Sequence, residues 1–285
     1  MFVPKQTLER KPGYRFRFSL DKGVFQVRVS DATDELTAPI EWAFGAGEQA
    51  ITFASRINQD WFVEHYFSYY AALGRMDVTP GQQGITPKSL AQSVGLVYKA
   101  IDEEEGIVRC FRCHSTGPVN TSGPVISPLE AGVHCEACHG PGGEHVRSGD
   151  RKLIGNPKRM TATAINQFCG KCHRPPAAST GAIDWNYAWN VRHQPLYLSE
   201  SACFRKSNGK LSCFSCHQAH EPLARNAAHY NQVCASCHAA THASAGMANC
   251  IDCHMPRVSP QTALRFTNHW IGTYADGAKL RPIRR

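Results

Sequence analysis

Six times this chain spells Cys-x-x-Cys-His. The copies are Cys110, Cys113 and His114; Cys135, Cys138 and His139; Cys169, Cys172 and His173; Cys213, Cys216 and His217; Cys234, Cys237 and His238; and Cys250, Cys253 and His254. Residues at i and i+3 of a helical turn share a face, and a histidine at i+4 joins them. Two thiols so placed can each form a thioether with one vinyl group of a haem, and the imidazole can then reach the iron. The pentapeptide is the attachment signal for haem c, so six copies predict six covalent, iron-containing haems. The rival is zinc, which also takes paired cysteines at comparable spacing. Zinc, however, has no use for a histidine after every pair. Dithiol exchange, likewise, has no use for six such motifs.

The motifs account for all but one of the 13 cysteines. The remaining one, Cys203, reads as a small, buried, apolar residue. The formal charge of +8 is misleading once haems are counted, because each brings two propionates. Six haems would leave the chain near about +2 when ferric and about −4 when ferrous, so part of the basicity is counter-charge. Nucleic acid is therefore not expected as a partner, and no aromatic-interleaved basic patch argues for one. No apolar run approaches membrane-spanning length; the stretch 95–101 is typical and contains Lys99. The opening residues show no leader-like apolar stretch. Because this attachment chemistry takes place outside the cytoplasm, the expectation is a leader not visible in this numbering and a periplasmic or extracellular protein.

Two regions of different character follow. Residues 1–105 lack cysteine and hold one histidine, His65. Tyr14, Phe16, Phe18 and Leu20 alternate with polar residues, Asp21-Lys22-Gly23 reads as a turn, and Phe25, Val27 and Val29 alternate again. This is a hairpin at period two. Further strands are predicted around Trp42, at 51–56 and at 61–70, giving a small antiparallel sheet of about five strands. Gly45-Ala46-Gly47 reads as a turn, because no βαβ context makes it a nucleotide loop. Asp102–Glu105 is read as a solvated acidic linker. Residues 106–285 carry all six motifs. That is too little chain to wrap each haem separately, so the haems must share one core. Short helices joined by Pro- and Gly-rich loops, such as Gly140-Pro141-Gly142-Gly143, are expected there. The fold class is thus α+β with low regular secondary structure: a β-rich N-terminal domain, then a hexahaem domain.

Each ferric iron needs a sixth ligand, and eight histidines lie outside the motifs. His65 falls in a strand, and His134 directly precedes Cys135, so both are set aside without being excluded. The remaining six match the demand: His145, His193, His220, His229, His242 and His269. Methionine is the rival ligand, with Met76, Met160 and Met247 available and Met255 on the wrong side of its motif.

The chain also resembles the multihaem cytochrome c family that includes cytochrome c554-like proteins and the haem modules of tetratricopeptide-linked cytochromes. The segments that carry this are CFRCHST at 110–116, GVHCEACHGPGGEH at 132–145, FCGKCHRP at 168–175, LSCFSCHQAHE at 211–221 and CIDCHMP at 250–256, the last followed by Thr267-Asn268-His269-Trp270. The N-terminal segment, with Ser68-Tyr69-Tyr70, is similar to a leader module of such proteins. The resemblance implies distal ligation by His145, His220 and His269, and electron movement along stacked haem pairs. Some relatives are enzymes acting on nitrogen or sulfur oxyanions. Here no motif ends in Lys and enough histidines exist to close every iron, which leans against catalysis. The expected function is electron transfer through six packed bis-His haems, with other redox proteins, or further copies of the chain in a conductive filament, as partners. In the filament His65 would ligate a neighbour's haem. The alternative is a periplasmic oxidoreductase with one five-coordinate haem.

Overall fold

The computed structural model describes residues 7–101, 106–120, 127–177, 181–238 and 249–283. The chain divides into two compact units, Met1–Ala137 and Cys138–Arg285.

The first unit opens with a four-stranded antiparallel sheet, β1 (Thr7–Arg10), β2 (Tyr14–Asp21), β3 (Val24–Ser30) and β4 (Glu35–Pro39), in chain order. Strand β2 buries Tyr14, Phe16 and Phe18 and exposes Arg15 and Arg17, while β3 buries Val27 and Val29. The expected hairpin joins them through a two-residue loop. Lys22 (φ 46°) and Gly23 (φ 84°) both take positive φ, the condition for the type I′ turn whose twist matches its strands.

A second, six-stranded sheet contains β5 (Trp42–Phe44), β6 (Ala50–Arg56), β7 (Trp61–His65), β8 (Phe67–Tyr70), β9 (Arg75–Val78) and β10 (Gly95–Lys99), ordered β10-β7-β6-β8-β9 with β5 on β6. The single sheet expected from the sequence is therefore two. The segment 61–70 is also two strands rather than one. At Tyr66 the backbone leaves the ladder: its N–H donates to the Val94 carbonyl and its carbonyl accepts from Thr79, each at 2.7 Å. Gly45 takes φ 126° in the turn before β6, and a Cβ there would collide with the Ala50 carbonyl oxygen, so glycine is required. The two sheets share one core of Phe16, Phe18, Val27, Val29, Phe53, Phe67 and Met76, so Met76 is spent on packing.

Beyond α1 (Leu90–Ser93), the helix α2 (Val108–His114) carries the first motif. It is anchored on the six-stranded sheet by a second cluster of Ala54, Phe62, Ala100, Ile107 and Phe111. A hairpin of β11 (Ser115–Asn120) and β12 (Ser127–Ala131) follows, then α3 (Cys135–His139), within which the two units divide.

The second unit is built of short helices: α4 (Gly143–Ser148), α5 (Ala162–His173), α6 (Gln194–Ser199), α7 (Ala202–Lys206), α8 (Cys213–Cys216), α9 (Ala227–Ala235) and α10 (Cys250–His254), closed by a hairpin of β13 (Arg257–Gln261) and β14 (Leu264–Thr267). The class is α+β, as the sequence predicts, although the hairpins after the first and last motifs were not foreseen. A cluster of Val191, Leu196, Tyr197, Val258 and Trp270 holds this unit together, with Trp185 5.0 Å from both Tyr197 and Trp270 in edge contacts. Among the described residues no helix is long and apolar enough to cross a membrane. The acidic run Asp102–Glu105 lies outside the described residues.

Candidate haem sites

Five of the six motifs have both cysteines on one short helix, α2, α3, α5, α8 or α10. The fifth begins on α9 with Cys234 and finishes in the turn that holds Cys237 and the exposed His238. The helical spacing therefore sets both thiols on one side, as a two-point attachment needs. In α2 the residue between the thiols, Phe111, is 1 % exposed and packs edge-on against Trp42 at 4.9 Å, and Phe44 lies 5.5 Å from the His114 ring. The β sheet thus fixes the first motif from below.

The histidines separate by which ring nitrogen is tied down. The Nδ1 atoms of His139, His145, His254 and His269 each donate to a backbone carbonyl, those of Gly155 (2.7 Å), Asp150 (3.0 Å), Gly272 (2.9 Å) and Thr267 (3.0 Å). A carbonyl only accepts, so the proton sits on Nδ1 and the lone pair on Nε2. This is the second-shell arrangement that orients a metal-ligating imidazole. Gly155 is there for a reason: a Cβ would come within 2.8 Å of the His139 carbonyl oxygen. His173 is held similarly, Nδ1 to Gln194 Oε1 at 3.1 Å.

Two ring pairs face one another. His139 Nε2 lies 3.5 Å from His220 Nε2, with ring planes 18° apart and centroids 5.7 Å apart. The centroids are farther apart than the nitrogens, so the rings point nitrogen at nitrogen instead of stacking. His217 and His269 face each other with centroids at 6.3 Å. Burial pushes His269 down to about 4 and lowers His217, the nearby His229 adding to the latter; both shifts favour the neutral imidazole, the ligating form. His193 is also pushed down to about 4, by burial and then by Arg192, Arg174 and His173, and its buried Nδ1 has no partner among the described residues. An orphaned buried nitrogen beside a motif histidine fits an axial ligand.

The other expected positions are less uniform. His229 gives its Nε2 to the Cys216 carbonyl at 3.1 Å, and it lines a cavity of about 410 Å³ together with Cys216, His217, Glu221, Leu223 and Tyr230. His242 and Met247 lie outside the described residues. Of the two histidines set aside, His134 holds the Ala131 carbonyl through Nε2 at 2.7 Å. His65 is 1 % exposed, its Nε2 2.7 Å from Ser55 Oγ. It points into the sheet, so the expectation that it reaches a neighbouring copy is corrected: a side chain sealed in a β core cannot present itself to another chain.

Among the thiols, burial raises Cys110, and burial together with the charge of Cys234 and Cys203 pushes Cys216 up to about 11. Cys203 sits half-buried on α7, burial pushing its thiol up. Sequence reasoning missed Asn166 and Asn231, whose side-chain oxygens accept the backbone N–H of Cys213 (3.0 Å) and Cys250 (2.9 Å). The signal was present: Asn-Gln-x-Cys-x-x-Cys-His is spelled twice. Among the described residues no three His, Cys, Asp or Glu side chains converge as a metal cage would require. Facing pairs of imidazoles are what an iron already held in a porphyrin plane needs, and the site residues fit haem c.

Known proteins agree with this chemistry. The family model for cytochrome c554 and c-prime matches residues 86–140. The multihaem cytochrome MtrA of Shewanella baltica (strain OS185) is 29 % identical over 183 residues, 54 % of this chain and 47 % of that protein, so the chain spans about half the length of this curated relative. Two solved structures are looser matches. The undecahaem cytochrome from the S-layer of Carboxydothermus ferrireducens superposes with a TM-score of 0.40 at 17 % identity, over 70 % of this chain and 35 % of that one. The outer cell wall cytochrome OcwA gives 0.44 at 15 % identity, over 80 % and 66 %. Those superpositions are too loose to carry an argument. The six attachment motifs, the family match across the first two of them and the relative matched over half the chain point the same way: the chain is similar to multihaem c-type cytochromes.

Proposed function

We propose that the chain is an electron-transfer protein carrying six haem c groups, bound by Cys110/Cys113, Cys135/Cys138, Cys169/Cys172, Cys213/Cys216, Cys234/Cys237 and Cys250/Cys253, with proximal ligands His114, His139, His173, His217, His238 and His254. Distal ligation comes from His145, His193, His220, His229, His242 and His269. The observation that carries the reading is the nitrogen-to-nitrogen approach of His139 and His220 at 3.5 Å. An iron bonded to two imidazoles at about 2 Å each needs its nitrogens about 4 Å apart on one line. The tilted rings of His217 and His269, with centroids 6.3 Å apart, are proposed as a second pair. Haem supplies reversible one-electron chemistry at iron, and the chain's own residues supply spacing, ligand orientation and local charge. An iron with imidazoles on both faces has no open position for substrate. The working compartment is periplasmic or extracellular, and the partners are other redox proteins, or further copies in a filament with haem-to-haem contact.

A second reading rests on His229. Its Nε2 is engaged by the Cys216 carbonyl, which leaves one iron short of an expected ligand and favours a five-coordinate haem acting on a small nitrogen or sulfur oxyanion. Pyridine haemochrome assay and electron paramagnetic resonance of the purified protein separate the two. Six low-spin ferric haems per chain support electron transfer, and His220→Ala then converts one of them to high spin. A high-spin ferric signal in the unmodified protein would favour the enzyme.

A further inference from the structure

Two of the six motifs share a prefix the others lack: Asn166-Gln167-Phe168 before Cys169, and Asn231-Gln232-Val233 before Cys234. The asparagine sits one helical turn ahead of the first thiol, on the same face. In both copies it reaches the same target. Asn166 Oδ1 accepts the backbone N–H of Cys213, and Asn231 Oδ1 accepts that of Cys250, each the first cysteine of the motif that follows in the chain. These N–H groups belong to the first turns of α8 and α10, where no intrahelical partner exists. The caps Ser212 and Asn249 serve other amides, of Ser215 and Ile251. An asparagine from the preceding motif helix therefore completes the cap of the next one.

The paired motifs also come together at their sulfurs, Cys213 acting on Cys169 and Cys250 on Cys234. Asn166, 1 % exposed, also takes the Cys213 thiol at 3.2 Å and donates to the Leu211 carbonyl at 3.2 Å. The chain between the paired motifs is far longer in the first case than in the second, yet the junction is the same.

We propose that Asn166 and Asn231 are positioning residues that clamp motifs 3 and 4, and motifs 5 and 6, into two copies of one two-haem module, with the thioether edges of each pair side by side. This rests on the reading that these motifs carry haem. The clamp selects which haems are neighbours, and so where an electron crosses between motifs.

The test uses the full holoprotein and Soret circular dichroism, whose exciton couplet reports the distance and angle between neighbouring haems. The variants are Asn166→Ala, Asn231→Ala, the double variant and Asn166→Asp, which keeps the acceptor oxygen. Gln82→Ala, which removes a comparably buried amide from the β region, is the control for general loosening. Expected are an unchanged haem count throughout, a couplet diminished in each single alanine variant and further in the double, a couplet retained in Asn166→Asp, and no effect in the control. An unchanged couplet in the double variant overturns the clamp, as does an equal loss in Gln82→Ala. If Asn166→Ala does not fold, the part-buried Asn231→Ala decides alone. A count in the unmodified protein that omits motifs 3 to 6 instead overturns the haem reading beneath it.

Discussion

The β region and the motif-bearing helices solve the same problem with different materials. In the first, side chains make the core: Phe16, Phe62, Tyr70, Val27 and Val29 are at most 1 % exposed, and strand pairing satisfies the backbone. In the second, α3, α4, α9 and α10 contain no buried residue. Helices of five to nine residues are far below the length at which isolated helices hold in water. What orders them must be bonded to them: α3 and α10 spend two positions in five on cysteines that offer a covalent tie, α9 carries Cys234, and α4 carries the expected ligand His145. The β region is held by what its residues exclude from water; these four helices, outside the Val191–Trp270 cluster, are held by what their residues attach to.

The largest expected effect breaks this comparison directly. Expressed where no haem is attached, the full chain should protect its β2, β3, β6 and β7 amides from hydrogen exchange, while the helices α3, α4, α8, α9 and α10 exchange at close to the unfolded rate. Strong protection of those helices in the haem-free chain would show that the second region does not depend on its cofactor.

The next effect belongs to the β core. Phe16 packs edge-on against Phe67 at 5.1 Å in the seam between the two sheets. Phe16→Ala should cost about 3–5 kcal/mol in chemical denaturation, with the haem count and Soret spectrum of the holoprotein unchanged. A spectrum that shifts with this substitution would mean that the two regions are not separable.

These contrasts also explain what the sequence could reveal. The β2–β3 hairpin was legible because alternation and a Lys-Gly turn are local signals. The attachment residues were legible because the chemistry demands fixed spacing on one turn. The division of 61–70 at Tyr66 was not, since it is set by Val94 and Thr79, distant in sequence. Nor was the role of Phe111, which looks like a filler between two thiols and is a core residue of the sheet beneath it. The carbonyls that orient His139 and His254 come from Gly155 and Gly272, and a backbone acceptor leaves no trace in side-chain identity. Which distal histidine faces which motif is a matter of tertiary packing alone.

A smaller effect contrasts histidines. His65 gives its Nε2 proton to Ser55, whose own hydroxyl donates to Pro39, and its Nδ1 is buried without a partner among the described residues. Burial pushes its pKa down from 6.5 to about 3. Between those values the unfolded chain binds a proton that the folded chain refuses, so stability is complete above pH 6.5 and falls as pH drops toward 3. The slope is at most about 1.4 kcal/mol per pH unit, or about 2 kcal/mol lost by pH 5. Denaturant titrations of His65→Phe at pH 7 and 5 should lose that difference, whichever way its pH-independent stability moves. A parent protein equally stable at both values would refute the assignment.

The smallest effect compares two arginines. Arg10, 3 % exposed, donates to the backbone carbonyls of Ser93 (2.6 Å) and Ile85 (2.9 Å) and lies 3.7 Å over the Tyr66 ring. It ties α1 and the segment before it to the first sheet, and its loss would strand the buried Ser93 carbonyl. Arg147, on α4, reaches Glu144 one turn away, and both side chains are about two-thirds exposed. Water competes for each charge and the pair must freeze two long side chains, so such a contact contributes at most about 0.5 kcal/mol. Arg147→Ala should leave the denaturation midpoint of the holoprotein within error and insensitive to salt. A loss above about 1 kcal/mol would place Arg147 against a haem propionate rather than Glu144 alone, because a charge-assisted hydrogen bond to a fixed carboxylate is stronger than a solvated surface pair.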